Sequence, residues 1–206
     1  GTVHKGNGIE EESLGGTINY RYKNMHIYDN LSLPWYQYKE TGKQFLYNKL
    51  SGIEKQSSER DYNRGYSFSN RLSLTQQCNK QSSLSFSYYI SANHNHSHLN
   101  TYDDDNNTNI RIYKRVVEQE VTTKYLTPLG KSNILVDLTI DYYNRHANTV
   151  TNYLGNSAES EGTTDKQNNN LWKTSLDFTQ PIGRNLLTYG GAVQFVNQQF
   201  IPLVVN

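Results

Sequence analysis

Apolar and polar residues alternate with period two in segment after segment of this chain, the spacing of strands with one sheltered face and one wet one. In the clearest such run, Asn133 to Asn144, Ile134, Val136, Leu138, Ile140 and Tyr142 lie on one side and Leu135, Asp137, Thr139, Asp141 and Tyr143 on the other. Ser82 to Asn93 sets Leu84, Phe86, Tyr88, Ile90 and Ala92 against Ser85, Ser87, Tyr89 and Ser91. Ile18 to Lys23, Val116 to Tyr125 and Leu171 to Thr179 obey the same rule. Shorter matches at Met25 to Leu33, Tyr66 to Leu74 and Tyr189 to Phe195 complete eight predicted strands.

Two kinds of connection separate these strands. Tight turns are expected near Asn24, Cys78-Asn79, Gly130 and Gly183, spaced about 54, 52 and 53 residues apart. Long polar connections, Lys39 to Asp61, His94 to Thr108 and Asn148 to Asn170, alternate with them and carry little to bury. Short turns at one end and long connections at the other describe a ladder of hairpins, with 1–14 and 201–206 expected as tails around a β-meander of 15–200.

Composition narrows the class. The 206 residues are only 34% hydrophobic yet 12% aromatic, with 17 Tyr, and the mean hydropathy is −0.82. A disordered chain would lack the aromatics, and a helical bundle would be rich in Ala, Leu, Glu and Lys. Twenty basic and 19 acidic residues give a net charge of +1, which argues against nucleic acid as a partner. A single cysteine, Cys78, excludes an internal disulfide framework and a CxxC motif. The first residues, Gly1 to Gly6, lack the apolar core of a signal peptide, so the sequence is expected to be cut from something longer.

Strands of about 9 to 11 tilted residues, short turns at one rim, longer loops at the other and a polar lumen are what a transmembrane β-barrel needs. The sequence is compatible with each. Arg21, Lys23, Glu118, Glu120, Lys124, Asp137, Asp141, Lys173 and Asp177 fall opposite the apolar stripe and are candidate lumen-facing residues. Leu84, Phe86, Tyr88, Ile90, Ile134, Val136, Leu138, Ile140, Trp172, Leu176 and Phe178 are candidate lipid-facing residues. In a soluble β-sandwich the same charges would face solvent, so alternation alone leaves both architectures open.

Two predicted turns share a pattern, Thr127-Pro128-Leu129-Gly130-Lys131 and Thr179-Gln180-Pro181-Ile182-Gly183-Arg184. An aromatic alternating strand, a turn reading Pro-[Leu/Ile]-Gly-[Lys/Arg] and a further aliphatic strand resemble the hairpins of Bacteroidetes outer-membrane β-barrel proteins, including TonB-dependent receptors. The resemblance covers about Gly15 to Phe200 through short, degenerate motifs. It implies an all-β, antiparallel up-and-down meander of about eight long strands, forming a transmembrane barrel or an arc of one in the outer membrane of a Gram-negative cell. It further implies a non-enzymatic role in nutrient uptake or as a channel scaffold. A TonB-dependent receptor would also carry an N-terminal plug and a closing aromatic residue, which have no counterpart in these residues. The other reading is a soluble or surface-tethered sandwich binding glycans or a protein through its loops.

Chemistry-bearing motifs are sparse. His94, His96 and His98 would share one face of an extended segment, a spacing able to hold Zn²⁺ or Cu²⁺, but a His-rich polar loop explains them as well. Asp103, Asp105 and Asn107 begin like a calcium loop, yet Thr108 stands where Gly is required and Lys114 where a bidentate Glu belongs. Trp35, Tyr36, Tyr38, Tyr142, Tyr143 and Trp172 are either interfacial girdle residues or cross-strand pairs. No nucleophile elbow, zinc-protease helix, phosphate loop or dinucleotide fingerprint occurs, so no catalytic residue, no resident metal and no cofactor is expected, and a loop-based hydrolase is the least favoured function. Partners are expected to be outer-membrane lipid and a small-molecule or glycan ligand at the long loops.

Overall fold

The fold is that of a computed structural model describing residues 2–48, 53–103, 107–130, 133–155 and 160–205. Eight strands follow one another: β1 Thr2–Tyr22, β2 Met25–Asn48, β3 Ile53–Gln77, β4 Ser83–Asp103, β5 Asn107–Pro128, β6 Leu135–Leu154, β7 Ser160–Ile182 and β8 Asn185–Val205. All belong to one sheet in the order β1 to β8, each strand antiparallel to the next. The all-β meander is therefore as expected, and among the described residues the sheet is open, β1 and β8 being its two edges. Among the described residues no second sheet is stacked on it, so they do not form the sandwich of the alternative reading.

The strands are far longer than the alternation suggested. The stretches expected as loops are mostly ladder: β2 runs on to Asn48, β4 carries His94 to Asp103, and β6 and β7 pair from Asn152↔Gly162 down to Leu135↔Thr179. The expected tails are also paired, Thr2↔Gln44 at one edge and Gly162↔Val205 at the other. The period-two signal fades where both faces are wet, but backbone pairing does not need an apolar side chain. Asp105 and Lys131 lie outside the described residues.

The four tight turns do appear. Lys23 and Gly183 open two-residue turns with φ of 52° and 61°, the positive first position of a type II′ hairpin. In the β3–β4 turn the Asn79 side-chain oxygen accepts from the backbone N–H groups of Gln81 and Ser82, both at 2.8 Å. In the β5–β6 turn the Leu129 N–H donates to the Ile134 carbonyl at 2.8 Å. Ile134 thus belongs to the turn and not to the strand in which it was expected.

Register reveals a stagger. One row of paired residues runs Tyr22, Met25, Gln76, Leu84, Tyr125, Leu138, Leu176, Gly191. The first turn lies on this row, the second begins one residue beyond it at Gln77↔Ser83, the third three beyond at Pro128↔Leu135, and the fourth six beyond at Ile182↔Asn185. A six-residue drop over six strands, at about 3.3 Å per residue and about 4.8 Å between strands, slopes at roughly 35°. That lies in the range of strand tilts in closed or closing barrels.

There is almost no interior. Ala147 is the one buried apolar side chain among the described residues, and no large side chain is fully buried. Phe195, Trp172 and Leu14 are 70%, 54% and 72% exposed. A single-layer sheet with aromatic and aliphatic side chains laid bare is not a finished soluble domain; something apolar must cover one face.

Candidate functional site: two faces of one sheet

Side chains alternate between the faces, and register partners share one, so the pairings assign every described strand residue to a face. One face carries Leu84, Phe86, Tyr88, Ile90 and Ala92 of β4, with Ile27, Leu31 and Leu33 of β2, Leu138, Ile140 and Tyr142 of β6, Leu176 and Phe178 of β7, and Tyr189, Val193 and Phe195 of β8. The expected lipid-facing residues in strands, including Val136 and Trp172, all lie here. Tyr142 and Trp172 pair across strands with ring centroids 4.5 Å apart.

These residues form an oblique band. It spans Met25 to Trp35 on β2, Leu84 to Ala92 on β4 and Leu187 to Phe195 on β8, about nine to eleven residues in each case. Its upper edge passes from Trp35 and Tyr66 to Tyr142, Trp172 and Phe195, whose row meets β2 at Asp29, six residues below Trp35. Upper edge and turns therefore descend together. A band of this width on strands tilted by roughly 35° stands about 25 Å tall. Asp29 is its one charged residue among those described, and the Asn70 amide donates to the Asp29 carboxylate at 2.7 Å.

The opposite face carries most of the charge, with scattered apolar residues such as Val116, Leu126, Leu171 and Val196 among it. Arg21, Glu118, Glu120, Lys124, Asp137, Asp141, Lys173 and Asp177 all project there; Lys23 sits in the first turn, its ammonium 5.2 Å from the Tyr22 ring centroid. The Lys124 ammonium lies 2.6 Å from the Asp137 carboxylate, and the Thr122 hydroxyl donates to Asp141 at 2.8 Å. Arg145, which the alternation did not single out, donates to Glu118 at 3.1 Å and to Gln167 at 3.2 Å, tying β5, β6 and β7 together. Tyr36, Tyr38 and Tyr143 also lie on this face, so only Trp35, Tyr142 and Trp172 of the expected girdle residues are on the apolar side. Toward the far ends, burial and then the Glu59 and Glu40 carboxylates push the Asp61 carboxyl up from its ordinary range.

Above the apolar band the same face changes character. His94 stacks on Tyr66 of β3, centroids 5.1 Å apart, and His96 on Tyr113 of β5 at 4.3 Å. With Trp35 and Arg64 these rings border a shallow cleft of about 370 Å³. His94, His96 and His98 thus occupy strand β4 and not a loop. Among the described residues no three His, Cys, Asp or Glu side chains gather closely enough to hold a metal. Burial pulls the His96 imidazole below its ordinary range, and Arg64, His98, Arg111 and His94 add repulsion. Cys78 is exposed in its turn.

No protein-family profile matches the chain, and no curated protein does so. Among solved structures it is similar to the ferric citrate transporter FecA in its unliganded form, at 11% identity and a TM-score of 0.49 over 99% of this chain and 37% of that one. It is also similar to the ferric yersiniabactin uptake receptor FyuA from Yersinia pestis, at 9% identity and 0.42 over 87% and 34%. A third is the translocator domain of the autotransporter NalP from Neisseria meningitidis, at 9% and 0.30 over 96% and 81%. The chain spans about a third of the length of the first two. The structural neighbours are outer-membrane barrel proteins, and at these identities and scores they add nothing to what the register itself establishes.

Proposed function

We propose that the chain is an arc of a transmembrane β-barrel in the outer membrane of a Gram-negative bacterium, of the TonB-dependent receptor kind, serving nutrient uptake and catalysing no reaction. The observation that carries this reading is the oblique apolar band: its width fits nine to eleven tilted residues, and its edges and the turns descend at one slope. In hydrocarbon every backbone donor and acceptor must be paired, which the ladder achieves for six strands and leaves undone at one edge each of β1 and β8. Those edges join further strands in the membrane. The polar face lines the lumen, where opposite charges pair across strands, and the long polar ends of the strands meet a small-molecule or glycan ligand outside.

The test is a matched pair of arginines on adjacent residues. Phe86→Arg puts a cation in the band and costs about 2–4 kcal/mol of folding free energy in lipid vesicles, whereas Ser87→Arg on the polar face costs far less. Equal tolerance of the two, or a chain that stays a monodisperse monomer in plain buffer with a cooperative melt, overturns the reading.

A further inference from the structure

The chain is nearly neutral as a whole, yet its charges are sorted between faces in a way that neutrality does not require. Beyond the apolar band, on the same face of β2 to β7, the described side chains include Lys39, Lys43, Arg60, Arg64, Arg111, Arg115 and Lys166 and not one Asp or Glu. Apart from Asp29 within the band, the described carboxylate side chains of these strands, Glu40, Glu59, Asp61, Glu118, Glu120 and Asp165 among them, point to the other face. Among the described side chains beyond the band, carboxylates reach the belt's face at the β1 edge, as Glu10 and Glu12. A face turned merely to water would mix both signs.

The cations are also interleaved with rings. The Lys39 ammonium lies 5.6 Å from the Tyr62 ring centroid and the Arg60 guanidinium 5.8 Å from that of Tyr102. His94 and His96 stack on Tyr66 and Tyr113 in the two rows nearer the band. Along one register row the order is Gln37, Arg64, His96, Tyr113, and along the next Lys39, Tyr62, His98, Arg111. Guanidinium groups match phosphate oxygens in pairs, and flat rings between them offer stacking surfaces to the C–H faces of sugars.

We infer that this belt is a docking surface for the phosphate groups of a phosphorylated glycolipid whose acyl chains lie against the apolar band directly below. The inference rests on the membrane reading above. Continuity decides the occupant: a ligand with an apolar body, sugar rings and anionic heads would meet the band and, directly above it, cations interleaved with rings, as in Phe68, Tyr66, Arg64, Tyr62 and Arg60 along β3 and Val117, Arg115, Tyr113 and Arg111 along β5. Across the described side chains of β2 to β7 the belt is cationic, a positive potential at headgroup height, where anionic lipids concentrate.

The experiment reconstitutes the complete protein that contains this arc in phosphatidylcholine vesicles and confirms insertion by heat-modifiable migration in a denaturing gel. Retention of a trace bis-phosphorylated glucosamine-disaccharide lipid is then measured against the same lipid stripped of phosphate, with free inorganic phosphate as a separate competitor. Phosphorylated glycolipid is expected to be retained at least about tenfold more strongly. The triple substitution Arg64→Gln, Arg111→Gln and Arg115→Gln abolishes that preference, while Lys114→Gln, Arg71→Gln and Lys173→Gln on the polar face leave it intact. Replacing the same three arginines by Lys retains a reduced preference and guards against misfolding of the Gln variant. Equal retention with and without phosphate, equal effects of the two triple variants, or displacement by millimolar inorganic phosphate as strong as that by lipid overturns the docking surface while leaving the barrel standing. A complete protein, containing this arc, that does not insert into vesicles overturns both.

Discussion

Tyr36 of β2 lays its ring over Gly65, its register partner on β3: a Cβ built on Gly65 would come within 2.6 Å of ring atoms Cε1 and Cζ and of the hydroxyl oxygen. The missing side chain of one residue is filled by the ring of the other, on the polar face just above the level of the band. Gly65→Ala is expected to cost about 1–3 kcal/mol by pushing the ring aside. In the Tyr36→Ala background most of that cost vanishes, because the ring that must move is gone. A double-mutant cycle on urea unfolding in lipid measures the difference; additive effects would sink the account.

Gly190 is more tightly confined. A Cβ there would run into the Leu176 carbonyl oxygen, the Asp177 carboxylate and, at 2.8 Å, the Asp177 Cα. Backbone atoms cannot swing away as a ring can, so Gly190→Ala is expected to lower the unfolding midpoint more than Gly65→Ala and to gain nothing from Asp177→Ala.

The first and last hairpins respond oppositely to glycine. Lys23 holds φ at 52°, a region that strains an L side chain by about 1–2 kcal/mol, part of which glycine would lose again through its freer unfolded state. Lys23→Gly is expected to raise stability by ~0.5–1 kcal/mol. Gly183→Ala, at φ 61°, is expected to lower it by a similar amount. Matching signs in equilibrium unfolding would refute the turn geometry.

The ion pair between Lys124 and Asp137 is short, but its side chains are 48% and 27% exposed. Water screens it, and a double-mutant cycle with Lys124→Met and Asp137→Asn is expected to return less than about 1 kcal/mol. Raising salt to 1 M should remove most of that.

Acid is expected to weaken the fold through His96. Its imidazole titrates below the ordinary value of about 6.5 in the folded chain, so between the two values the unfolded chain holds more protons. The contribution of His96 is complete above about pH 6.5 and shrinks as the pH falls below it, down to the folded value. Unfolding free energies at pH 7.5 and 5.5 are expected to differ less for His96→Gln than for the parent chain. An unchanged pH slope would contradict the burial of this ring.

Part of this was legible in the residues. Each of the eight alternating segments falls on one of the eight strands, three of them overrunning it by one or two residues into a turn, because a half-covered strand must repeat every second residue. Pro181-Ile182-Gly183-Arg184 announced its turn through glycine's tolerance of positive φ, and Lys124, Asp137, Asp141 and Lys173 announced their common face. Arg145 stayed hidden because it lies past the apolar stretch, where period two has nothing to mark. His94, His96 and His98 read as loop residues for the same cause, since polar ladder and polar loop have the same composition.

The sequence by itself determined strand number, hairpin order and the segregation of grease from charge within each strand, since those follow from local chirality and side-chain alternation. Only the tertiary pairing decided how one strand slides against the next. That sliding aligned nine- to eleven-residue segments into a single slanted band and collected Arg64, Arg111 and Arg115 from distant stretches into one cationic belt, because register, unlike periodicity, is a relation between residues far apart in the chain.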